Sequence, residues 1–558
     1  MSSKILTYFA LLILTSHVSG QTLLKDIEDF LPGAASSPSN WSAVTDDVFI
    51  FQANNTLESQ SIFASDGTEA GTIGLGFYSV DSDIIQFGNK AYFGGCNLLL
   101  GADSCSVLCV SDGTVAGTRT FFDPDPTGIS LKIEEIVAGD SLFYFVGHTI
   151  SGGYEIWRSN GTIAGTYQVM DIAPGATSGY VGELAVIDDI AYFAGYTDEH
   201  GTEPWRSDGT TAGTYMIENL NEGAANSNPA YFTASGGYIY FSGLGTDTGV
   251  ELRRTNGQQG NVEIIGEDGT TDSSWPRDLV DSDGTLYYAA EGAGAAGYEL
   301  FVYNHTGNPT HLDFTNADIF PRALMPFGDG KVIFNAEKDF GRELWISDGT
   351  LAGTQMIKDL YPGPKDGVFG TGVPGGSFYV WRDSLVYFAG ADSVHAEDEF
   401  VYELFVTDGT EAGTQLVSDH VPGAEGSNPG NFFEFGGRLY FAMTDAVIGR
   451  EPYYLDIDNT TAISDPDDEL SIAQLPYPNP LPDGAALHVA IHLVNGSNLS
   501  ARLFDLKGSV VQEISDLGYF PAGENTLEIR LEDRLSGLYY LVLDGGEGSR
   551  VNMKILLE

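Results

Sequence analysis

Apolar residues in this chain fall in short runs that are separated by Gly, Asp, Asn, Ser and Thr. The runs are rich in aromatic and β-branched residues, as in Ala91-Tyr92-Phe93, Ile239-Tyr240-Phe241 and Val386-Tyr387-Phe388. None of them shows the 3.6-residue period of an amphipathic helix, and turn residues bound each one. The pattern predicts an all-β protein made of many short strands.

One string of turn residues recurs at a nearly fixed spacing. Ser-Asp-Gly-Thr-x-Ala-Gly-Thr occurs four times, from Ser65, Ser111, Ser207 and Ser347, and close variants begin at Ser159 and Thr407. Three further copies are degenerate. With these included, the Asp or Asn of the motif, which we use as a marker, falls at positions 66, 112, 160, 208, 256, 304, 348, 408 and 456. Most steps are 48 residues or close to it, so we count nine repeat units.

Each unit contains the same series of predicted strands. An aromatic run comes first, then a strand such as Glu343-Leu344-Trp345, then the Asp-Gly turn, then a last strand such as Gln355-Met356-Ile357. Four strands in a unit of this length are typical of a β-propeller blade. The sequence predicts a β-propeller of eight to nine four-stranded blades over residues 21–460.

The Asp-Gly dipeptide has a physical reason to recur. A tight hairpin needs positive φ at its central residues, which Gly adopts freely and which Asp and Asn tolerate. We therefore predict that the dipeptide joins the third and fourth strands. The predicted structural turn residues are Asp66, Gly67, Asp112, Gly113, Asn160, Gly161, Asp208, Gly209, Asp348, Gly349, Asp408 and Gly409.

The two ends of the array look like complementary parts of one blade. Leu23-Leu24-Lys25-Asp26-Ile27 matches the fourth-strand segment Met356-Ile357-Lys358-Asp359-Leu360, whereas the last unit lacks such a segment. Pairing the two ends would close a ring and hide two strand edges. We expect the N-terminal strand to complete the last blade.

The repeat resembles the ELWxxDGTxxGT family of secreted bacterial repeat proteins. The segment from Glu343 to Thr354 matches that pattern at every fixed position, and the resemblance covers roughly residues 23–460. It implies the propeller-like architecture and says little about a ligand.

Residues 476–558 follow a different pattern, of alternating strands with Gly and Asn turns, after an acidic linker predicted at 461–475. This pattern predicts a small β-sandwich. Its distinctive residues are Tyr477, Pro478, Asn479, Pro480, Gly508, Gly537, Tyr539 and Lys554. With these residues the segment resembles the type A C-terminal sorting domain of the type IX secretion system of the Bacteroidetes. The resemblance implies the type IX secretion machinery as a partner.

The first twenty residues are predicted to be a cleaved signal peptide. Lys4 precedes an apolar run that is too short to span a bilayer, and Val18-Ser19-Gly20 suits signal peptidase. No later segment has the length of a membrane helix. With the sorting module, the signal predicts passage through the periplasm to the outer cell surface.

Charge narrows the range of partners. The chain holds 78 Asp and Glu against 25 Lys and Arg, a net charge of −53, which opposes the phosphate contacts that nucleic-acid binding requires. Such a surface attracts divalent cations, and Ca²⁺ is the one candidate cofactor because it takes oxygen ligands. We otherwise expect no cofactor.

The three cysteines lie together, as Cys96, Cys105 and Cys109. An export signal places them where disulfides persist, and Cys96 and Cys105 flank a predicted hairpin loop, so we predict a bridge between those two. Their spacing does not suit zinc.

Catalytic motifs are not visible. The nine histidines fall at unrelated places in the repeat, with no metalloprotease motif and no nucleophile elbow. We interpret the repeated Glu and Asp as residues that stabilise the blade. Segments that depart from the repeat, such as 363–376 and 391–399, are better candidates for a binding site. We expect no catalytic residues and favour a surface-displayed binding or adhesion scaffold for a glycan or surface protein. The second hypothesis is a secreted carbohydrate-active or other hydrolytic enzyme with its site at the propeller channel.

Overall fold

A computed structural model of the chain describes residues 21–28, 34–55, 60–97, 107–123, 132–149, 151–266, 273–292, 297–312, 319–338, 341–368, 378–382, 384–392, 401–421, 426–457, 470–477, 486–493, 496–504, 510–531, 537–546 and 549–557. The predicted signal peptide lies outside these residues. The chain divides into two compact units, Gly20–Leu455 and a second one that contains Asp456–Glu558. Each unit is described by itself below.

The described residues of the first unit form nine antiparallel sheets, eight with four strands and one with five. We number the sheets 1 to 9 along the chain. Sheet 1 holds β2 (Ser39–Thr45), β3 (Val48–Asn55), β4 (Gln60–Ser65) and β5 (Ile73–Gly76); sheet 2 holds β6 (Tyr78–Val80), β7 (Ile85–Phe87), β8 (Lys90–Asn97), β9 (Val107–Ser111) and β10 (Arg119–Phe122); sheet 3 holds β11 (Lys132–Ala138), β12 (Phe143–Thr149), β13 (Gly153–Ser159) and β14 (Tyr167–Gln168).

The next three sheets follow the same order. Sheet 4 holds β15 (Tyr180–Ile187), β16 (Ile190–Thr197), β17 (Gly201–Ser207) and β18 (Tyr215–Met216); sheet 5 holds β19 (Ala230–Ser235), β20 (Tyr238–Gly245), β21 (Gly249–Thr255) and β22 (Val262–Ile264); sheet 6 holds β23 (Arg277–Ser282), β24 (Thr285–Glu291), β25 (Tyr298–Tyr303) and β26 (Thr310–Leu312).

The last three sheets complete the array. Sheet 7 holds β27 (Arg322–Pro326), β28 (Val332–Lys338), β29 (Gly341–Ser347) and β30 (Gln355–Met356); sheet 8 holds β31 (Phe378–Trp381), β32 (Leu385–Gly390), β33 (Glu403–Thr407) and β34 (Gln415–Ser418); sheet 9 holds β35 (Gly430–Phe435), β36 (Arg438–Asp445) and β37 (Gly449–Asp456), together with β1 (Thr22–Leu23) from the start of the chain.

Consecutive sheets pack through their first strands. The strands β11, β15, β19, β23 and β27 contact one another in that order, and β35 contacts β2. Sheets 7 and 8 share a core in which Phe327 and Ile333 meet Phe378 and Phe388. Because the last sheet contacts the first, the array is a ring with the first strands at its centre, which is the arrangement of a β-propeller.

The aromatic residues of the repeat form the cores between sheets. Tyr144 and Ile156 of sheet 3 pack with Phe193 and Trp205 of sheet 4. Trp157, Trp205 and Trp345 of the Glu-Leu-Trp strands are each 7% exposed, so they are core residues. Burial of this apolar surface holds neighbouring sheets together.

The N-terminal strand pairs with the last strand of the array, as the sequence predicted. Thr22 lies opposite Tyr454 and Leu23 opposite Tyr453, in antiparallel register. The strand β1 is shorter than the predicted segment 23–27, and the amide of Leu24 extends the pairing by donating to the carbonyl of Pro452 at 2.9 Å.

The second unit contains two antiparallel sheets. One holds β38 (Leu470–Tyr477), β39 (Ala486–Leu493) and β42 (Gly523–Arg530), and the other holds β40 (Ser497–Phe504), β41 (Val510–Phe520), β43 (Gly537–Gly546) and β44 (Ser549–Leu557). Leu487, Val489 and Leu527 of the first sheet share a buried core with Leu503 and Leu541 of the second.

The predicted acidic linker at 461–475 differs from the structure at its end. Residues 470–475 belong to β38, which pairs with β39 from Leu470 opposite Leu493 to Tyr477 opposite His488. This strand contains the apolar residues Ile472 and Leu475. The linker prediction rests on the acidic residues that precede them.

Candidate functional site

The repeated Asp-Gly turns are closed by their own hydrogen bonds. In the first turn, Oδ1 of Asp66 accepts from the amide of Thr68 at 2.9 Å and from its hydroxyl at 2.6 Å. The hydroxyl of Thr72 donates to the carbonyl of Thr68 at 2.7 Å, and Gly71 is so close that a Cβ there would lie 2.0 Å from Oδ1 of Asp66. Bonds from Thr68 to the carboxylate lower the pKa of Asp66. The same bonds recur in the turns of Asp112, Asn160, Asp208, Asp348 and Asp408.

These turns differ from the tight hairpin that the dipeptide suggested. The connection between β4 and β5 runs from Asp66 to Thr72, and only the glycine adopts positive φ, at 83° in Gly67. The same holds for Gly113, Gly161, Gly209, Gly349 and Gly409. Asp acts as a hydrogen-bond acceptor for the following Thr instead of adopting the left-handed conformation itself.

The repeated glutamates join several sheets to the segment that leads into the next one. Glu155 is 1% exposed and accepts from the amides of Ile172 and Gly179 at 3.1 and 2.9 Å. Glu343 accepts from Leu360 in the same way, at 3.2 Å. Burial raises the pKa of Glu155 to about 7 and that of Glu343 to about 9, although the amide bonds oppose the shift. Their contacts are those of residues that support the blade.

Candidate metal ligands do not gather anywhere in the described part of the chain. It contains no group of three or more His, Cys, Asp or Glu side chains that could hold a metal ion. The prediction that Ca²⁺ binds this acidic protein is untested by this observation and stays a prediction.

Two of the three cysteines are described. Cys96 and Cys109 are buried, and burial raises the pKa of Cys109 well above its ordinary range. Cys105 lies outside the described residues, so the predicted bridge between Cys96 and Cys105 stays a prediction. The departures at 363–376 and 391–399 also lie mostly outside them.

Some residues of the predicted sorting motif are placed on strands. Tyr477 ends β38, Gly537 begins β43, and Tyr539 lies opposite Ile555. Lys554 of β44 lies opposite Tyr540 of β43. Pro478, Asn479, Pro480 and Gly508 lie outside the described residues.

The first strands of most sheets share a β-bulge at the centre of the ring. In β19 the pairing moves from Ala230 opposite Ser242 to Thr233 opposite Tyr240, so that two residues, Tyr231 and Phe232, lie opposite the single residue Phe241. Bulges re-aim side chains and often lie next to functional sites. The bulge residue at positive φ differs from sheet to sheet: Asn40, Glu183, Tyr231, Asp278, Ala323 and Asn431.

A second position, three residues before the bulge residue, is exposed on five sheets. It precedes a buried proline and adopts a φ between 46° and 51°. The five tripeptides are Ser37-Pro38-Ser39, Asn228-Pro229-Ala230, Trp275-Pro276-Arg277, Phe320-Pro321-Arg322 and Asn428-Pro429-Gly430. Three sheets carry Ser or Asn at the exposed position, whereas sheets 6 and 7 carry aromatic residues.

The two aromatic residues are presented to solvent by a fixed backbone. Trp275 is 49% exposed and Phe320 is 37% exposed. Their amides donate to the carbonyls of Val250 and Tyr298, at 3.2 and 3.1 Å. Positive φ is uncommon for large side chains and is strained, and such strain concentrates at functional sites. Trp275 and Phe320 thus expose large apolar side chains at a position where three other sheets carry Ser or Asn.

Charged and aromatic side chains surround these two residues. Nε of Arg277 lies 3.8 Å from Oδ2 of Asp278, and its guanidinium stacks 3.5 Å from the ring centre of Tyr298. Burial raises the pKa of Asp278, against the opposing charges of Arg277 and Arg322. Tyr231 of sheet 5 is exposed and lies beside this group. Desolvation and the charge of Asp278 raise the pKa of Tyr231, and the charge of Arg277 opposes this shift. We call Tyr231, Trp275, Arg277, Asp278, Phe320 and Arg322 the aromatic-arginine surface.

Sequence reasoning missed this surface although a signal was present. The prolines at 229, 276, 321 and 429 fall between 17 and 21 residues after the markers at 208, 256, 304 and 408. Aligning the repeats on these prolines would have shown that only Trp275 and Phe320 replace a small polar residue.

Comparison with known families matches only the second unit. Residues 476–558 match the family described as "Secretion system C-terminal sorting domain". This match indicates that the protein is exported. A search of curated proteins found no match.

Several solved structures resemble the chain at low identity. A puromycin hydrolase is 14% identical with a TM-score of 0.35, over 64% of this chain and 58% of that one. A puromycin-hydrolyzing peptidase of Mycobacterium tuberculosis is 12% identical with a TM-score of 0.34, over 66% and 58%. The β-propeller domain of the Trilobed protease from Pyrococcus furiosus is 12% identical with a TM-score of 0.33, over 70% and 99%. The chain thus spans 58% of the length of the first two proteins.

No described helix has the length and apolar character that a membrane crossing requires.

Proposed function

We propose that this protein is a surface-displayed binding or adhesion protein, exported through the type IX secretion system of a Bacteroidetes cell. Its first unit is a nine-bladed β-propeller, closed by β1, and its second unit is a β-sandwich that serves as the sorting domain. The match of residues 476–558 supports the export route. In this proposal the propeller holds the binding surface and the sorting domain delivers it to the outside of the cell.

One observation carries the binding role. At the exposed position before the proline, sheets 6 and 7 have Trp275 and Phe320 where three other sheets have Ser or Asn. An aromatic side chain in a strained and solvent-facing conformation adds nothing to the core, yet it offers a rigid apolar face to a ligand. Repetition in neighbouring sheets makes this surface the best candidate for binding.

A glycan array, with a parallel hydrolysis screen on the bound glycans, tests the proposal with the mature full-length chain. We expect binding that is lost in the double variant Trp275→Asn/Phe320→Asn. The matched control is Leu351→Ser, which removes an apolar residue of similar exposure from an Asp-Gly turn. Release of shorter glycans would instead favour the hydrolytic enzyme. Unchanged binding by the double variant would refute the assignment of the surface.

A further inference from the structure

The two exposed aromatic residues are each part of an aromatic-Pro-Arg unit. Arg277 follows Pro276 and Arg322 follows Pro321, whereas the other three tripeptides end in Ser, Ala or Gly. The chain has only 25 basic residues against 78 acidic ones. Two arginines at one repeat position in adjacent sheets are therefore a local exception to the charge of the protein.

The two arginines differ in exposure. Nε and Nη2 of Arg277 are buried and have no hydrogen-bond partner among the described residues, and the 3.8 Å to Asp278 exceeds hydrogen-bond length, so Arg277 contributes its positive charge and not these two donors. Stacking on Tyr298 fixes the guanidinium without using its N–H groups. Arg322 is exposed, and within the described ranges it makes no hydrogen bond or ion pair.

Asp278 limits but does not cancel this positive charge. The Asp278 carboxylate faces two guanidinium groups, Arg277 and Arg322, so positive charge exceeds negative charge among these three side chains. The Glu183 carboxylate lies at the edge of the surface, where it accepts from the amide of Tyr231 at 3.1 Å. An anionic group of a ligand would complete the pairing of the second guanidinium. Arginine forks bind carboxylate and sulfate oxygens through two parallel hydrogen bonds.

We propose that the aromatic-arginine surface binds an anionic polysaccharide, carboxylated or sulfated, with one sugar ring on each aromatic side chain and an anionic group on exposed Arg322, next to the positive charge of Arg277. This inference rests on the proposed binding function and names the ligand class of the same surface. The C–H face of a sugar ring packs on an aromatic face, and two equal units in adjacent sheets suit a polymer with a repeating charge. Because the net charge of −53 repels polyanions elsewhere, binding is confined to this surface.

The test measures affinity of the mature full-length chain for polymers that differ only in charge. Polygalacturonate and its fully methyl-esterified form share one backbone, and dextran sulfate and dextran form a second pair. We expect binding at least about tenfold tighter to one or both charged polymers than to their neutral partners. The carboxylated and sulfated arms show which anionic group is recognised.

Variants separate the contributions of the two arginines. Arg322→Gln and Arg277→Gln should each weaken binding by about tenfold, while Arg119→Gln, on the outer strand β10, should leave it unchanged. Unchanged melting temperature of Arg322→Gln shows that its loss of binding is not unfolding.

Different failures overturn different statements. Equal binding to polygalacturonate and its methyl ester would overturn the role of charge while the binding function stands. Equal binding to poly-glutamate would overturn the polysaccharide class, because charge alone would then suffice. Absence of binding to every polymer and every arrayed glycan would overturn both the inference and the proposed function.

Discussion

The carboxylate of Glu451, in the last sheet of the ring, accepts hydrogen bonds from the amide and the hydroxyl of Ser36 at 3.0 and 2.6 Å, across 415 residues of sequence. The same carboxylate accepts from the amide of Ile27 at 3.0 Å. Elsewhere in the ring this kind of contact joins sheets that are consecutive in the chain, such as Glu403 to Ser427 at 2.9 Å. A buried glutamate that accepts hydrogen bonds from the segment leading into the next sheet therefore closes the ring. The same kind of contact links sheets that are consecutive in the chain.

The first prediction concerns this closure. Ser36→Ala removes a buried hydroxyl bond to Oε2 of Glu451, which keeps only the amide of Ile27 as a donor, so we expect the free energy of unfolding to fall by about 1–3 kcal/mol. Urea unfolding of the mature chain measures it. Ser427→Ala removes the corresponding bond to Glu403 within the chain and is the matched control.

The Ser36→Ala and Ser427→Ala variants should differ in their sensitivity to proteolysis. Ser36→Ala weakens a contact that joins the chain's beginning to its end, so it should also expose β1 to proteolysis. Equal proteolysis of both variants would contradict a special role of Ser36 in closure.

The second prediction concerns pH. Burial raises the pKa of Glu155, Glu203 and Glu451 to about 7 and that of Glu343 to about 9, above the ordinary value of 4.5. At these four carboxyls the folded protein binds more protons than the unfolded chain, so the stability that they contribute is full below pH 4.5 and is lost as pH rises through 7 and, for Glu343, through 9. Bonds from Thr68 that lower the pKa of Asp66 act in the opposite direction below pH 4.

Unfolding at pH 5.5 and pH 8 checks this sign. The whole-protein charge of −53 also favours the lower pH, so Glu343→Gln serves to isolate the buried carboxyl. The amide oxygen of Gln can still accept from Leu360, and we expect this variant to be more stable than wild type at pH 8 and less sensitive to pH. Greater stability of wild type at pH 8 than at pH 5.5 would contradict the prediction.

Most of the architecture could be predicted because it depends on local residues. The Asp66-Gly67 turn needs a glycine in the left-handed conformation and a carboxylate, and the repeated motif identifies both residues. The match between Leu23-Leu24 and the fourth-strand segments predicted the pairing of β1 with β37. The aromatic-arginine surface could not be predicted in this way, since Trp275 and Phe320 look like core residues until the fold shows them to be exposed. Asp278 and Arg322 lie far apart in sequence and meet only because β23 packs on β27.

The third prediction concerns the Asp-Gly turn. A methyl group on Gly71 would lie 2.0 Å from Oδ1 of Asp66, so Gly71→Ala should lower the free energy of unfolding by about 1–3 kcal/mol. The same substitution in the background of Asp66→Ala meets no carboxylate and should cost less. A double-mutant cycle by urea unfolding measures the coupling, and strict additivity would contradict the proposed collision.

The fourth prediction separates folding from binding at Trp275. Its φ of 49° is costly for an aromatic residue and tolerated by Asn, which sheets 5 and 9 carry at this position, at Asn228 and Asn428. Trp275→Asn should therefore raise the free energy of unfolding or leave it unchanged, with a gain of up to about 1 kcal/mol, while it abolishes ligand binding. Trp157→Asn, which empties a core position, should instead destabilise by about 3–5 kcal/mol.

Thermal unfolding and glycan binding of the two variants provide the measurement. If Trp275→Asn lowers the free energy of unfolding by more than about 1 kcal/mol, the indole side chain supports the fold. The strained backbone at Trp275 would then have a structural origin. A stable variant without binding would show that the chain tolerates a strained backbone at sheet 6 in order to present this side chain to a ligand. Since sheet 7 repeats the geometry with Phe320, the same pair of outcomes should follow for Phe320→Asn.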